Sequence, residues 1–282
     1  MTKYNLNGEK MKTLFVSDLD KTLLKDDQTL SPFTCDTLNM LIEKGMIFTY
    51  ATARSANTAK KATEGLSGHS YAVVYNGVFI VENETGRTVT SMAFSKEESS
   101  CVIDTVLSYK VSPRVFSLVD GKERFTYTEK HLESLGAQEY FRTRNNDPRG
   151  RLGNEKDLYE GEVFTISCVA EKKKLEPVYE RLKENFRCHF YLDSYSSDWY
   201  LEVLPNGASK ADAILKLKKI LGCEKVVSFG DGMNDFSMFT ISEECYAVEN
   251  AHPDLKAIAT GIIGSNEDDG VAKFLLERFG AE

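Results

Sequence analysis

The chain has 282 residues, more than one hydrophobic core usually organises, so a main domain carrying a second, inserted one is the first expectation. Hydrophobic residues make up 41% and charged residues 28%, the balance of a globular protein and not of a disordered one. A formal charge of −8 excludes the broad basic footprint of a nucleic-acid binder, so an anionic ligand must be drawn in by local positive charge. Six scattered cysteines without a C-x-x-C pair read as reduced packing residues, not as a disulfide framework or a catalytic thiol. The opening MTKYNLNGEKMK has no apolar segment of signal-peptide length, and no later run approaches the roughly 18 to 20 apolar residues of a membrane span. A cytoplasmic location without a membrane partner is expected. The first ten residues read as a loose tail, with Met11 available as a second start.

Thr13 to Ser17 is a short apolar strand that ends at Asp18-Leu19-Asp20, and helical spacing follows from Ser31 to Lys44, with Pro32 suited to the first turn and Gly45 to the stop. Met46 to Ala51 is a second buried strand running into Thr52-Ala53-Arg54, and Ser55 to Glu64 returns to helix. Strand, helix, strand, helix implies a parallel sheet with crossover helices. Tyr71 to Tyr75 makes a third strand, ending at an Asn76-Gly77 turn that opens a hairpin through about Phe94.

From about 86 to 200 the rhythm changes. Helix-like segments at 95–110, 129–145 and 171–185 alternate with strand-like runs at 114–128, 162–170 and 186–192, which is the pattern of a separate α+β unit. After Leu204-Pro205-Asn206-Gly207 the α/β pattern resumes, with a helix over 209–221, a strand over 225–229, a helix from about Met233, a strand over 245–248, then a short helix, a strand and a final helix. The expected architecture is an α/β fold, a parallel-sheet core of residues 1–85 and 201–282 with an α+β domain of residues 86–200 inserted into it.

In an open parallel sheet, ligands bind beyond the carboxyl ends of the strands. The first core strand delivers Asp18 and Asp20 to that edge, the second delivers Thr52, and the strand ending at Phe229 delivers Gly230-Asp231-Gly232-Met233-Asn234-Asp235, with Lys210 at the start of a helix facing the same way. Clustered carboxylates repel unless a cation sits among them, and hard oxygen ligands suit Mg²⁺ better than zinc. Mg²⁺ and Lys210 would together attract a phosphate dianion, with Thr52 and backbone N–H groups as donors. A free aspartate there can attack phosphorus to form an aspartyl-phosphate, and Asp20 can serve as general acid and then base.

Taken singly, each element has a plainer explanation. Asp-x-Asp is often a surface turn, Thr52 a strand-end cap, Lys210 a solvated helix residue and Asp231-Gly232 a turn. A calcium loop starting at Asp18 fails, because it needs Gly at 23 and Glu at 29, where Leu23 and Thr29 stand. Joint placement after successive core strands carries the functional reading.

Asp18-Leu19-Asp20-Lys21-Thr22-Leu23-Leu24, Thr52-Ala53-Arg54, Ser209-Lys210 and Gly230-Asp231-Gly232-Met233-Asn234-Asp235 together resemble the four ordered motifs of the haloacid dehalogenase-like hydrolases, most closely the Cof-type sugar-phosphate phosphatase group. The Asn76-Gly77 turn and the stretch from Glu202 through Pro205 and Gly207 to Lys210 resemble that group as well. The resemblance implies a Rossmann-like core with residues 86–200 as an inserted α/β cap domain, in agreement with the change of rhythm, and Asp18 as nucleophile with Asp20 as acid and base. It also implies Mg²⁺ held by Asp18, the Asp20 backbone carbonyl and Asp231, with Asp235 supporting the metal through water. Phosphate would be held by Thr52, the Ala53 backbone, Lys210 and Asn234, with Asn76, Gly77 and Asn250 at or near the substrate side. Lys21, Ala53 and Ala211 stand where the family usually has glycine, which bears on loop geometry and rate more than on reaction class; Lys21 is read as pointing to solvent.

The cap is expected to choose the substrate. Its arginine-rich stretch from Arg142-Thr143-Arg144 to Arg149-Gly150-Arg151 reads as a solvated loop before it reads as a site for a second anionic group, and Trp199 as core. The function expected is a Mg²⁺-dependent phosphatase of small phosphorylated metabolites, with no obligate protein partner evident. A phosphomutase of the same superfamily and a non-catalytic phosphometabolite-binding regulator are the alternatives.

Overall fold

The computed structural model describes residues 11–68, 70–143, 147–192 and 198–280, so the expected N-terminal tail lies outside the described residues. In chain order the first elements are β1 (Thr13–Ser17), α1 (Pro32–Glu43), β2 (Ile47–Tyr50), α2 (Ala56–Ala62), β3 (Tyr71–Val74), β4 (Phe79–Glu82) and β5 (Thr88–Ser91). Next come α3 (Lys96–Ser108), β6 (Arg114–Val119), β7 (Lys122–Tyr127), α4 (Leu135–Thr143), β8 (Gly150–Leu152), β9 (Glu162–Ala170), α5 (Lys172–Leu182), β10 (Arg187–Leu192) and β11 (Trp199–Leu204). The last segment holds α6 (Lys210–Ile220), β12 (Lys225–Gly230), α7 (Phe236–Ile241), β13 (Glu244–Val248), α8 (Pro253–Ile258), β14 (Gly261–Ile263) and α9 (Gly270–Gly280).

The chain divides into two compact units, one of Met1–Ser91 with Ser209–Glu282 and one of Met92–Ala208. The edges read from sequence rhythm, 86 and 200, fall beside strands that belong elsewhere: β5 pairs with β4 in the first unit, and β11 pairs with β9 and β10 in the second.

The first unit is built on a parallel sheet of order β14-β13-β12-β1-β2. β1 and β12 are buried along almost their whole length, which is why they read as unbroken apolar runs instead of alternating ones. β1 has β12 on one side and β2 on the other, so the strand order reverses there and the carboxyl ends of β1, β2 and β12 meet at one edge. Serines start the helices around it. Ser31, Ser55 and Ser209 each accept a hydrogen bond from the backbone N–H three residues on, an N-cap that satisfies one orphan donor of the first turn. A bridge from Ala51 to Val73 ties the end of β2 to β3, which pairs with β4 and β5 in an antiparallel sheet.

The second unit is a sheet of order β10-β11-β9-β6-β7-β8, antiparallel except for the β7–β8 pair. Val102, Ile103 and Val106 of α3 and Leu175, Val178 and Leu182 of α5 bury against Ile166, Cys168, Leu201 and Val203 to form its core. Arg114, Ser167, Glu202 and His189 are successive cross-strand partners and therefore share one face of the sheet. Trp199 packs on Phe190, 4.7 Å between ring centroids, and Phe190 stacks on Tyr179, as expected of core aromatics. The arginine-rich stretch is internally paired: Arg142 with Glu139, Arg149 with Asp147 and Glu123, and Arg151 with Asp157 and Glu160, while Arg144 lies outside the described residues.

Three elements differ from the sequence expectation. The run 114–128 is a hairpin, because Asp120 and Gly121 both take positive φ (51° and 70°), the backbone of a tight two-residue turn. The helix expected over 129–145 opens as a 3₁₀ turn at Glu129–Glu133 before α4 begins. β11 was not anticipated, since Pro205-Asn206-Gly207 beside it reads as loop.

After β3 the backbone turns through three left-handed residues, Tyr75, Asn76 and Gly77, with φ of 51°, 52° and 97°. A Cβ on Gly77 would lie 2.0 Å from the Ser209 carbonyl oxygen, so only glycine lets this turn sit against the N-cap of α6. Gly77→Ala is expected to lower unfolding free energy by about 2 kcal/mol or more, read from the shift of the urea midpoint; an unchanged midpoint would show that the contact yields easily.

Candidate active site

β1 ends in the buried Ser17 and Asp18, and the Asp18 N–H is held by the Phe229 carbonyl of β12 at 2.9 Å. The chain then makes a wide turn closed by Leu24 N–H to the Leu19 carbonyl, with Lys21 at a φ of 58°. Lys21 thus takes a left-handed conformation where glycine is usual in the family, a cost the loop carries locally; its side chain is exposed. Asn250, expected near phosphate, is exposed and donates to the Lys21 carbonyl at 2.7 Å while accepting from the Asn266 N–H, so it anchors this turn.

Lys210, at the first turn of α6, is 1% exposed. Its Nζ donates to Asp18 Oδ1 at 2.6 Å and to Asp235 Oδ1 at 2.7 Å. Asp235 Oδ2 accepts the N–H groups of Asp231 and Gly232, both at 3.0 Å, which folds the loop after β12 around that one carboxylate. Asp231 accepts from Thr22 Oγ1 at 2.9 Å, a bond 209 residues apart in sequence that joins the loop after β1 to the loop after β12. Carboxylate oxygens of Asp18, Asp231 and Asp235 lie within 4.8 Å of one another.

Thr52 is fully buried at the end of β2; its Oγ1 accepts the Arg54 N–H at 3.1 Å, which leaves the hydroxyl proton to donate. Ala53 is exposed beside it. The Thr52 carbonyl accepts from Asn76 N–H at 2.9 Å, so Asn76 and Gly77 brace the Thr52 loop and the start of α6. Asn234 lies in the loop after β12, half-buried, against Gly232. Asp20 is paired with Arg54, which donates from Nε at 2.8 Å and from Nη2 at 2.5 Å. Sequence reasoning gave no role to Thr22 or Arg54. Both stand inside the quoted motifs, which was the one signal available.

The electrostatics follow from burial. Loss of water pushes the Asp18 carboxyl well above the usual carboxylate range, against the pull of Lys210, and Asp235, Asp231 and Asp20 push the same way. Burial, then repulsion from Asp235, raises Asp231 to about 7 despite the Thr22 hydrogen bond. Burial works against the Lys210 ammonium, but Asp18 and Asp235 outweigh it and hold its pKa above the ordinary lysine value. One buried cation therefore faces three converging carboxylates. The excess negative charge and the hard oxygen donors fit a divalent cation.

A family model for haloacid dehalogenase-like hydrolases matches residues 15–275. The chain belongs to that family. It is 26% identical over 272 residues to 5-amino-6-(5-phospho-D-ribitylamino)uracil phosphatase YitU of Bacillus subtilis strain 168, covering 94% of this chain and 97% of that protein. It is 27% identical over 271 residues to an HMP-PP phosphatase of Serratia proteamaculans strain 568, covering 94% of each. Among solved structures, a haloacid dehalogenase-like hydrolase from Bacteroides thetaiotaomicron superposes with a TM-score of 0.75 at 24% identity, over 95% of this chain and 99% of that one. The shared fold is a Rossmann-like core with a cap.

Removing Lys210 would strand two buried carboxylates. Lys210→Met is expected to destabilise the metal-free protein by about 3 kcal/mol, the usual scale for breaking a buried ion pair from one side, in urea unfolding with chelator present. A midpoint equal to wild type would contradict the geometry of this pair.

Proposed function

We propose that the protein is a Mg²⁺-dependent phosphatase that hydrolyses small phosphorylated metabolites, sugar phosphates or compounds like them, through an aspartyl-phosphate on Asp18. The observation that carries the proposal is the placement of the Asp18 carboxylate at the carboxyl end of β1, gripped by Lys210 through one oxygen and within 4.8 Å of the Asp231 and Asp235 carboxylates. Relatives named as phosphatases support the reaction class.

In this mechanism the oxygen of Asp18 not bonded to Lys210 attacks phosphorus, and the ester P–O bond breaks as Asp20 gives a proton to the departing oxygen. Water then attacks the phosphoryl group, Asp20 takes a proton from it, and the bond to Asp18 breaks to return the carboxylate and release inorganic phosphate. Lys210 offsets negative charge at the transferring group, while Thr52, the Ala53 backbone and Asn234 orient it. Asp18, the Asp20 carbonyl and Asp231, with Asp235 through water, would hold Mg²⁺, which supplies positive charge to the phosphoryl oxygens when bound.

A panel of phosphorylated metabolites tests the proposal. Inorganic phosphate should be released with Mg²⁺, fall to background with excess chelator and be absent for Asp18→Asn. Full activity after exhaustive chelation would remove the metal from the account. Isomer formation without phosphate release, or saturable binding without turnover, would overturn the phosphatase assignment.

A further inference from the structure

The carboxylate proposed to move protons is held from outside the metal cluster. Arg54 donates to both oxygens of Asp20, and among the described residues it is the partner of that side chain. Arg54 is itself fixed at three points. Its N–H is held by Thr52 Oγ1 at 3.1 Å, its carbonyl accepts from Tyr75 N–H at 2.9 Å, and Nη2 also donates to Gln28 Oε1 at 2.9 Å. The guanidinium is thereby tied to the loop after β2 and the carboxylate to the turn after β1. Asp20 is 43% exposed, and ion pairs exposed to this degree add little to stability. A two-point grip does something a single charge contact does not: it fixes the plane of the carboxylate while leaving each oxygen a lone pair.

We infer that Arg54 is a positioning residue that acts through Asp20, setting the orientation in which that carboxylate takes a proton from the attacking water. The inference rests on the phosphatase mechanism above. In the step concerned, the water oxygen bonds to phosphorus and one water proton passes to Asp20. The phosphorus–Asp18 bond breaks with its electron pair returning to Asp18, and inorganic phosphate leaves. A carboxylate free to rotate would spend most of its time misdirected, and misplacement on the ångström scale slows such a step by up to about 10²-fold.

The test uses an aryl phosphate whose phenolate leaves without a proton, so that only the second step depends on Asp20, with Mg²⁺ present and rapid mixing. Asp20→Asn should release a burst of phenolate close to one equivalent per site and then turn over slowly, with an acid-stable, hydroxylamine-sensitive label on Asp18. Arg54→Ala should give the same burst and label, with steady-state kcat about 10- to 10²-fold below wild type, KM for the aryl phosphate lowered in proportion and kcat/KM little changed, because only the second step is slowed. The double variant should be no slower than Asp20→Asn alone, because Arg54 acts through Asp20. Added guanidinium at millimolar concentration, against equal sodium chloride, should recover part of the Arg54→Ala loss. Arg54→Lys, which keeps the charge and loses the two-point grip, should fall between wild type and Arg54→Ala; it carries the test if Arg54→Ala does not fold.

Losses that add in the double variant, or a burst phase followed by wild-type turnover in Arg54→Ala and Arg54→Lys, would overturn the positioning role and leave the mechanism standing. Absence of both burst and trapped phosphoenzyme in Asp20→Asn that still binds substrate would overturn the mechanism itself, and the role of Arg54 with it.

Discussion

A single buried ammonium stands between two carboxylates, and the arrangement of the first unit follows from that contact. Lys210 reaches Asp18 at the end of β1 and Asp235 in the loop after β12, so α6 must start opposite the join of those two strands. Burying three charges is costly unless each is met by a partner of good geometry. Asp235 is met most completely, by Lys210 and two backbone N–H groups, and this makes it the hub of its loop. Asp18 keeps only one of its oxygens on Lys210, and Asp231 has Thr22 for support. The fold thus satisfies the supporting carboxylate and leaves the other two short of positive charge, which is the condition under which a divalent cation and a phosphate would be held together.

Supporting contacts surround the cluster in layers. The left-handed turn at Tyr75–Gly77 lets the backbone pass against the α6 N-cap, and the Asn76 N–H returns to the Thr52 carbonyl. Asn250 and Asn266 hold the carbonyls of Lys21 and Leu24, fixing the loop that follows the nucleophile. In the second unit an apolar face packs on α3 and α5, while the opposite face carries the row Arg114, Ser167, Glu202 and His189. Arg114 is 3% exposed, bonds Ser167 Oγ at 3.3 Å and lies 3.5 Å from the centroid of Tyr140, so an aromatic face lies against its guanidinium. Burial, partly offset by Arg114, raises Glu202 to about 7.

Much of the core was legible because its signals are local. Apolar runs ending in Asp18-Leu19-Asp20, Thr52 or Gly230-Asp231 mark strand ends, and parallel topology then requires those ends to share an edge. The Arg54–Asp20 pair was not legible, since a 34-residue separation with one helix and one strand between the partners gives no periodic signal. Asn250 is expected near phosphate from the resemblance alone; its side chain donates to the Lys21 carbonyl of the nucleophile loop and accepts from the Asn266 N–H. Asp120-Gly121 is a hairpin signal in the sequence, hidden inside a longer strand-like run. Partners of the cap arginines lie up to 26 residues away, so composition alone could not distinguish committed ion pairs from a solvated loop.

The central claim is that the Asp18, Asp231 and Asp235 cluster is short of one divalent cation even with Lys210 in place. Urea unfolding across a series of Mg²⁺ concentrations at constant ionic strength tests it most directly. Stability of the wild type should rise by about 1.4 kcal/mol per decade of Mg²⁺ above the dissociation constant, as for one ion bound to the native state alone, and Asp231→Asn should flatten that dependence. A wild-type midpoint indifferent to Mg²⁺, or one that sodium at matched ionic strength moves as far, would contradict the claim.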